Sequence, residues 1–395
     1  MTDKSKTEST KTPGMAADVS AMVKSGIELI LEQQDPGGAY PASPSFSAYA
    51  GYCWFRDGSF IADAMSAAGQ IESAERFFDW CSNVLTSRAA RIQHIVSESL
   101  AGRPPADENM LPTRFTIDGA EGNDEWWDFQ LDGYGTWLWA LAEHSARHGR
   151  PLERWSNSIT LTIDYLSASW QRPCYDWWEE SAQHVHVSTL GCLAAGLEKI
   201  SHTGWIEQPS ADLAGSTAEQ IRRLVQQDGA RENHLTKWLG TTAVDASLLA
   251  LIAPMNFLAL HTPLANGTIA AIEEQLTVGN GVHRYLADTY YGGGQWPLLS
   301  CFLGLAHTAA GNQGRAHELL NWAASAAREN EELPEQVQAH LLAPDHLQPW
   351  IERWGPSASP LLWSHAMFVR LAIALDMPHV TPDPSPVPAA KENAQ

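Results

Sequence analysis

Six stretches of this chain are apolar round the whole circumference of a helix, and each follows a stretch that is apolar on one face only. The one-faced kind spans 15–34, 72–98, 154–171, 212–227, 266–276 and 313–330; "SAERFFDWCSNVLTSRAARIQ" shows the type. The all-round kind spans 58–70, 130–147, 186–202, 242–253, 296–310 and 361–377; "ASLLALIA" and "PLLSCFLGLA" show that type. A helix apolar on every side must be buried, whereas an amphipathic helix covers a core. About twelve helices that alternate in this way, with almost no period-two stretches between them, predict an all-α chain wound as an (α/α)6 barrel. The buried set forms the inner ring. A long α-solenoid would need a sequence repeat of fixed period, and none is visible.

The pattern leaves little outside one domain. Residues 1–14 are polar and residues 380–395, "VTPDPSPVPAAKENAQ", are rich in proline, so both ends are expected to be disordered tails around a barrel at 15–379. The N-terminus lacks an apolar leader segment, and no run is long and apolar enough to span a membrane. The five cysteines (Cys53, Cys81, Cys174, Cys192 and Cys301) are odd in number and form no CxxC pair. They read as reduced core thiols of a cytoplasmic protein.

Charge narrows the partners. The formal net charge is -21, which argues against nucleic acid and anionic membranes, because both need clustered Lys and Arg. A neutral sugar suits this balance. The 17 tryptophans supply flat faces for sugar rings, although most tryptophans in any protein simply pack.

In an (α/α)6 barrel the loops leading into the inner helices share one rim. The chemically unusual stretches lie in these loops: "YCWFRDG", "EWWDFQLDG", "CYDWWEE", "KWLGTTAVD", "HRYLADTYYGGGQW", and "ELPEQV" with "WSH". Aromatic and charged residues therefore gather at one mouth, where a pocket is expected. In "WFRDGSF", Asp57 reads most simply as the cap of a helix starting at Gly58, with Arg56 paired to a carboxylate. The functional reading is an Arg56–Asp57 pair that grips sugar hydroxyls beside Trp54. In "CYDWWEES", Asp176, Glu179 and Glu180 are either first-turn acids on a helix dipole or a general acid whose pKa is raised by Trp178 and a neighbouring charge. Glu331 and Glu332 read as a solvated helix end. Glu335 follows the helix-breaking Pro334 and is the best partner carboxylate for Glu179.

The "GGG" of "HRYLADTYYGGGQW" is a tight turn and not a phosphate loop, since no GK[ST] follows. That stretch also offers Arg284, Asp288, Tyr291 and Trp296 as site residues. His184 and His186 form an H-x-H pair without further ligands at metal spacing, so neither a metal nor any other cofactor is expected.

Together these stretches resemble the glucoamylase-like glycoside hydrolases of family 15. The resemblance rests on "WFRDGSF", "WWDFQLDG", "DWWEES", "DASLL", the pattern from Arg284 to Trp296, and "LPEQV" followed by "PLLWSHA", in family order from about residue 50 to 370. It implies an (α/α)6 barrel, with Glu179 as general acid and Glu335 as general base. Arg56 and Asp57 would hold the terminal sugar. Trp54, Trp126, Trp178 and Trp296 would line the subsites, and Glu180 and Arg284 would bind hydroxyls near the scissile bond. Asp176, Gln130, Asp288 and Tyr291 would support them. The implied mechanism is inversion at a chain end, with carboxyl groups about 6.5–9.5 Å apart. The chain shows no N-terminal β-sandwich and no starch-binding module, so a short α-1,4- or α-1,6-linked glucoside is the expected substrate. Trehalose, an unusual sugar, a non-catalytic sugar-sensing role, and an isomerase or epimerase using His184 and His186 are the competing readings. Oligomeric state is not legible.

Overall fold

A computed structural model describes residues 18–122 and 129–377. Both expected tails, and Trp126 with its neighbours, lie outside the described residues. The helices fall into two shells. The inner shell holds α2 (Phe55–Ala67), α5 (Asp132–His148), α7 (Val187–Ser201), a 3-10 helix (Ala246–Leu251), α10 (Pro297–Ala309) and α13 (Leu362–Ala374). Each packs on the next, and α13 closes back on α2. The outer shell holds α1 (Val19–Gln33), α3 (Ile71–Thr86) with α4 (Ala89–Leu100), α6 (Ser156–Ser169), α8 (Gln208–Asp228), α9 (Pro263–Leu276) and α11 (Gln313–Ser325). A further short helix, α12 (Leu347–Trp354), lies over the mouth. This is the (α/α)6 barrel that the alternating pattern predicts.

Burial follows the pattern. In α2, every residue from Phe55 to Ser66 is buried, and α10 is buried from Pro297 to His307. The outer helix α8 buries only a stripe of Ala214, Thr217, Ala218, Ile221 and Val225. That is the spacing of one helical face. Two inner helices meet backbone to backbone. A Cβ on Gly196 of α7 would stand 2.1 Å from the carbonyl oxygen of Gly135 in α5. Only glycine lets the ring close so tightly there.

Three expectations change. The stretch 72–98 is two helices, broken at Ser87 and Arg88, where the Arg88 guanidinium turns back onto Val84 O at 3.0 Å. The stretch 242–253 is not an α-helix. Its first residues are extended, Ala243 O accepts from Lys237 N at 2.7 Å, and Pro254 stops the turn. Finally, α12 arises outside the twelve expected helical stretches.

Among the described residues, three two-residue or three-residue ladders decorate the loops. One of them, Tyr52–Trp54 paired antiparallel with Arg114–Thr116, delivers the chain into α2. All five cysteines are buried and free.

Candidate active site

The loops leading into the inner helices converge on one cavity of about 220 Å³. Trp54, Arg56, Asp57, Trp178, Glu179, Glu180, Arg284, Trp296 and Glu335 all line it. Residues more than 280 positions apart in the chain thus meet, as the shared rim requires.

The Arg56–Asp57 pair sits at the start of α2. The backbone at Trp54 is still extended (φ -91°, ψ 134°), so the helix begins at Phe55, earlier than expected. The freed N–H of Phe55 donates to Thr113 O at 3.2 Å, and no side chain caps this end. Asp57 is therefore not the cap. Its carboxylate accepts from Arg56 Nε at 3.1 Å, and Arg56 Nη1 also donates to Gln130 (2.8 Å) and Asp132 (3.2 Å). Gln130 holds Arg56 from behind and does not line the cavity. Burial pushes the Asp57 carboxyl up to about 6, against the pull of Arg56 and with a push from Glu179.

The loop Asp176–Glu180 carries the first acid. Asp176 Oδ1 accepts from the backbone N–H of Trp178 at 2.9 Å and of Glu180 at 3.0 Å. The chain wraps round that carboxylate, and Glu179 takes a left-handed φ of 62°. Such a conformation is uncommon for a residue with a side chain, and here the hydrogen bonds over-determine it. The wrap turns Glu179 into the cavity, where the Trp54 indole N–H donates to its Oε1. Glu180 accepts from Arg284 Nη2 at 3.2 Å and from the Tyr285 hydroxyl. Arg284 is locked in turn by Asp288, through Nε at 2.8 Å and Nη2 at 2.5 Å. Its guanidinium stands over the faces of Trp178 (5.1 Å), Tyr290 (5.1 Å) and Trp296 (5.6 Å).

The second acid sits on an extended segment. Leu333 N donates to His365 Nε2 at 2.9 Å, Ser364 Oγ donates to Pro334 O at 2.9 Å, and Glu335 N donates to Ala358 O at 2.9 Å. The "WSH" of α13 therefore pins "LPE" from behind. His365 must be neutral to accept, and burial holds its pKa down at about 4. Glu335 is 2% exposed. The Tyr49 hydroxyl donates to its Oε1 at 2.8 Å, and Tyr49 is joined to Tyr290 at 3.0 Å. Oε2 has no protein partner among the described residues. Burial pushes the Glu335 carboxyl up to about 7, offset in part by the Tyr49 bond and by Arg284.

Several lining residues escaped the sequence reading: Tyr49, Tyr290, Trp350 and Trp363. Of the adjacent tyrosines, Tyr290 faces the cavity. Tyr291 has a φ of 48°, donates to Gly355 O at 2.9 Å, and stacks on Trp350. The next residues, Gly292 and Gly293, have φ of 79° and 68°, which is the tight turn expected of "GGG". Trp350 belongs to α12, whose Leu347, Trp350, Ile351 and Trp354 are spaced as one apolar helical face and pack against the core, the signal that could have found it. Neither histidine of the H-x-H pair lines the cavity. His184 stacks on Trp238 at 4.2 Å, and His186 Nε2 bonds to Ser181 O at 3.0 Å. Among the described residues no cluster of His, Cys, Asp and Glu is arranged to hold a metal ion.

Comparison with known proteins agrees with this fold. Residues 17–339 match the family model for glycosyl hydrolases family 15. An isomaltose glucohydrolase from Kribbella flavida is 48% identical over 350 residues, covering 88% of this chain and 91% of that one. A solved wild-type glycosidase superposes with a TM-score of 0.89 at 47% identity, over 91% of this chain and 98% of the other. A bacterial glucoamylase solved with acarbose shares the fold, with a TM-score of 0.71 at 21% identity, over 91% of this chain and 56% of that one.

Proposed function

The chain belongs to glycosyl hydrolases family 15, and we propose that it is an inverting exo-α-glucosidase acting on isomaltose and other short α-1,6-linked glucosides. The observation that carries this reading is the pairing of Glu179 and Glu335 in one small cavity whose end is occupied by Arg56 and Asp57. A cavity of about 220 Å³ is below the ~300–1,000 Å³ of drug-sized ligand pockets, which suits a disaccharide better than a long chain. Buried Trp177 and Trp363 form its inner wall, so a sugar enters by its end. The choice of α-1,6 linkage draws on the 48% identity to the isomaltose glucohydrolase.

The roles follow from the surroundings. Arg56 donates to hydroxyls of the terminal glucose, and Asp57 accepts from them. Glu179, oriented by the Trp54 indole, protonates the glycosidic oxygen. Glu335 takes a proton from a water on the opposite face of the ring. As that water adds, the C1–oxygen bond breaks and β-glucose forms. A base works best when its pKa lies near the working pH, and the apolar burial of Glu335 moves it there. Asp57 and Glu180 place negative charge around the cationic transition state. Trp178, Trp296 and Arg284 form the wall against which the departing sugar rests.

Incubating the protein with isomaltose, maltose and trehalose while following anomeric protons by NMR tests the reading. Isomaltose should be the best substrate, and β-glucose should appear before mutarotation. Release of α-glucose alone would remove inversion. No turnover of isomaltose would remove the proposed linkage. Preferred hydrolysis of trehalose would place the chain with relatives such as the trehalase 2 of Sulfolobus acidocaldarius, 26% identical over 262 residues, covering 60% of this chain and 43% of that one.

A further inference from the structure

The loop that carries Glu179 rests on a buried cation outside the cavity. Lys237 precedes the 3-10 helix and is 4% exposed. Its Nζ lies 2.9 Å from Asp176 Oδ2, 2.5 Å from Asp245 Oδ2 and 3.7 Å from the ring centre of Tyr285. Each of these three neighbours holds a different part of the loop. Asp176 gathers the backbone N–H groups of Trp178 and Glu180. Asp245 accepts the Trp178 indole N–H, at 3.1 and 3.0 Å, as well as Ser247 N and Oγ. The Tyr285 hydroxyl donates to Glu180. Lys237 itself is not among the residues that line the cavity.

The cation is what lets two buried carboxylates stand side by side. Without it they repel in a place water does not reach, and one must take up a proton or move. Either change disturbs what Asp176 or Asp245 holds. Glu179 sits in a left-handed conformation that persists only while those bonds are made.

We propose that Lys237 is a positioning residue for the acid half of the reaction, fixing Glu179 and Trp178 through Asp176 and Asp245 without touching the sugar. The inference rests on Glu179 being the proton donor, and a substrate that needs no proton donor separates the two. In α-glucosyl fluoride the C1–fluorine bond breaks and fluoride leaves as an anion. Water adds to C1, and its proton goes to Glu335. Only the base half is required.

The experiment compares kcat/KM on isomaltose and on α-glucosyl fluoride for wild type, E179Q, K237M, K237R and D245N. K237M should lose about 10²-fold on isomaltose, the cost of roughly a 1 Å misplacement, and less than about tenfold on the fluoride. K237R keeps a charge that can bridge both carboxylates and should recover part of the loss. D245N should show the same bias as K237M. Parallel losses on both substrates, in whichever of these variants folds, overturn the proposal, as does no loss on either. Failure of all three to fold also overturns it, since the cation would then hold the barrel and not the loop. E179Q is the reference: if it shows no bias towards the fluoride, the assignment of the proton donor fails, and a biased E179Q with an unbiased K237M sinks the Lys237 inference alone.

Discussion

Glu179 and Glu335 line the same cavity but stand on different supports. The Glu179 loop is wound round a carboxylate and backed by the buried Lys237, Asp176 and Asp245 cluster. The Glu335 segment is extended, pinned by neutral groups of α13, and its side chain is met by a phenol. No arginine or lysine bonds to Glu335 among the described residues. Burial therefore outweighs the Tyr49 bond and the more distant pull of Arg284, and pushes its pKa up to about 7. Two residues of the same type stand in different surroundings, and on the proposed reading that difference assigns them the acid and the base role.

This contrast can be broken in three ways, beginning with the largest effect. E335Q should lose on the order of 10²–10⁴-fold in kcat on both isomaltose and α-glucosyl fluoride, because both need an activated water. E179Q should suffer comparably on isomaltose alone. Equal behaviour of the two variants on the fluoride would erase the distinction between the supports.

The second effect is on stability, and its sign follows from the raised pKa. An unfolded Glu titrates near 4.3, whereas folded Glu335 titrates at about 7. The folded state therefore holds the proton more tightly, and ionising Glu335 costs stability as pH rises from about 4.3 to 7. E335Q removes that cost. It should be more stable than wild type by the order of 1–3 kcal/mol at pH 8, and gain nothing at pH 4. Urea unfolding at the two pH values reads the difference. A gain of equal size at both would mean that the charge is not what strains the site.

The smallest effect is on the pH profile. The acidic limb of kcat/KM should lie near pH 7, where Glu335 ionises in the free enzyme. Tyr49 donates to the ionised form and so holds this pKa below where burial alone would set it. Y49F should move the limb to higher pH. A limb that stays in place would mean that the phenol does not stabilise the ionised base.

The sequence carried much of this, but unevenly. The alternation of one-faced and all-round apolar helices was enough for the barrel and its single rim, and both glutamates were found on that rim. Asp57 was read as a cap because acids before helices usually are, and the three-residue ladder that starts α2 early left no trace in the local pattern. Tyr291 was singled out where Tyr290 faces the cavity, since two adjacent tyrosines carry the same local signal. Trp350 escapes the sequence reading although Leu347, Trp350, Ile351 and Trp354 carry the spacing of one helical face, because Pro344, Pro349 and Gly355 make so short a stretch read as loop.

What the sequence determined by itself is what depends on period: which stretches are helices, which are buried all round, and hence which loops meet. Those follow from 3.6 residues per turn and the cost of wetting apolar surface. What only the tertiary structure decided depends on direction and on distant neighbours. Glu179 points inward because a carboxylate three residues earlier gathers the backbone. Lys237 is held by Asp245, eight residues on, and by Asp176, sixty-one residues back. The Glu335 carboxyl is pushed up to about 7 because the barrel closes round it. Burial and ion pairing are properties of packed space, and no local pattern along the chain encodes them.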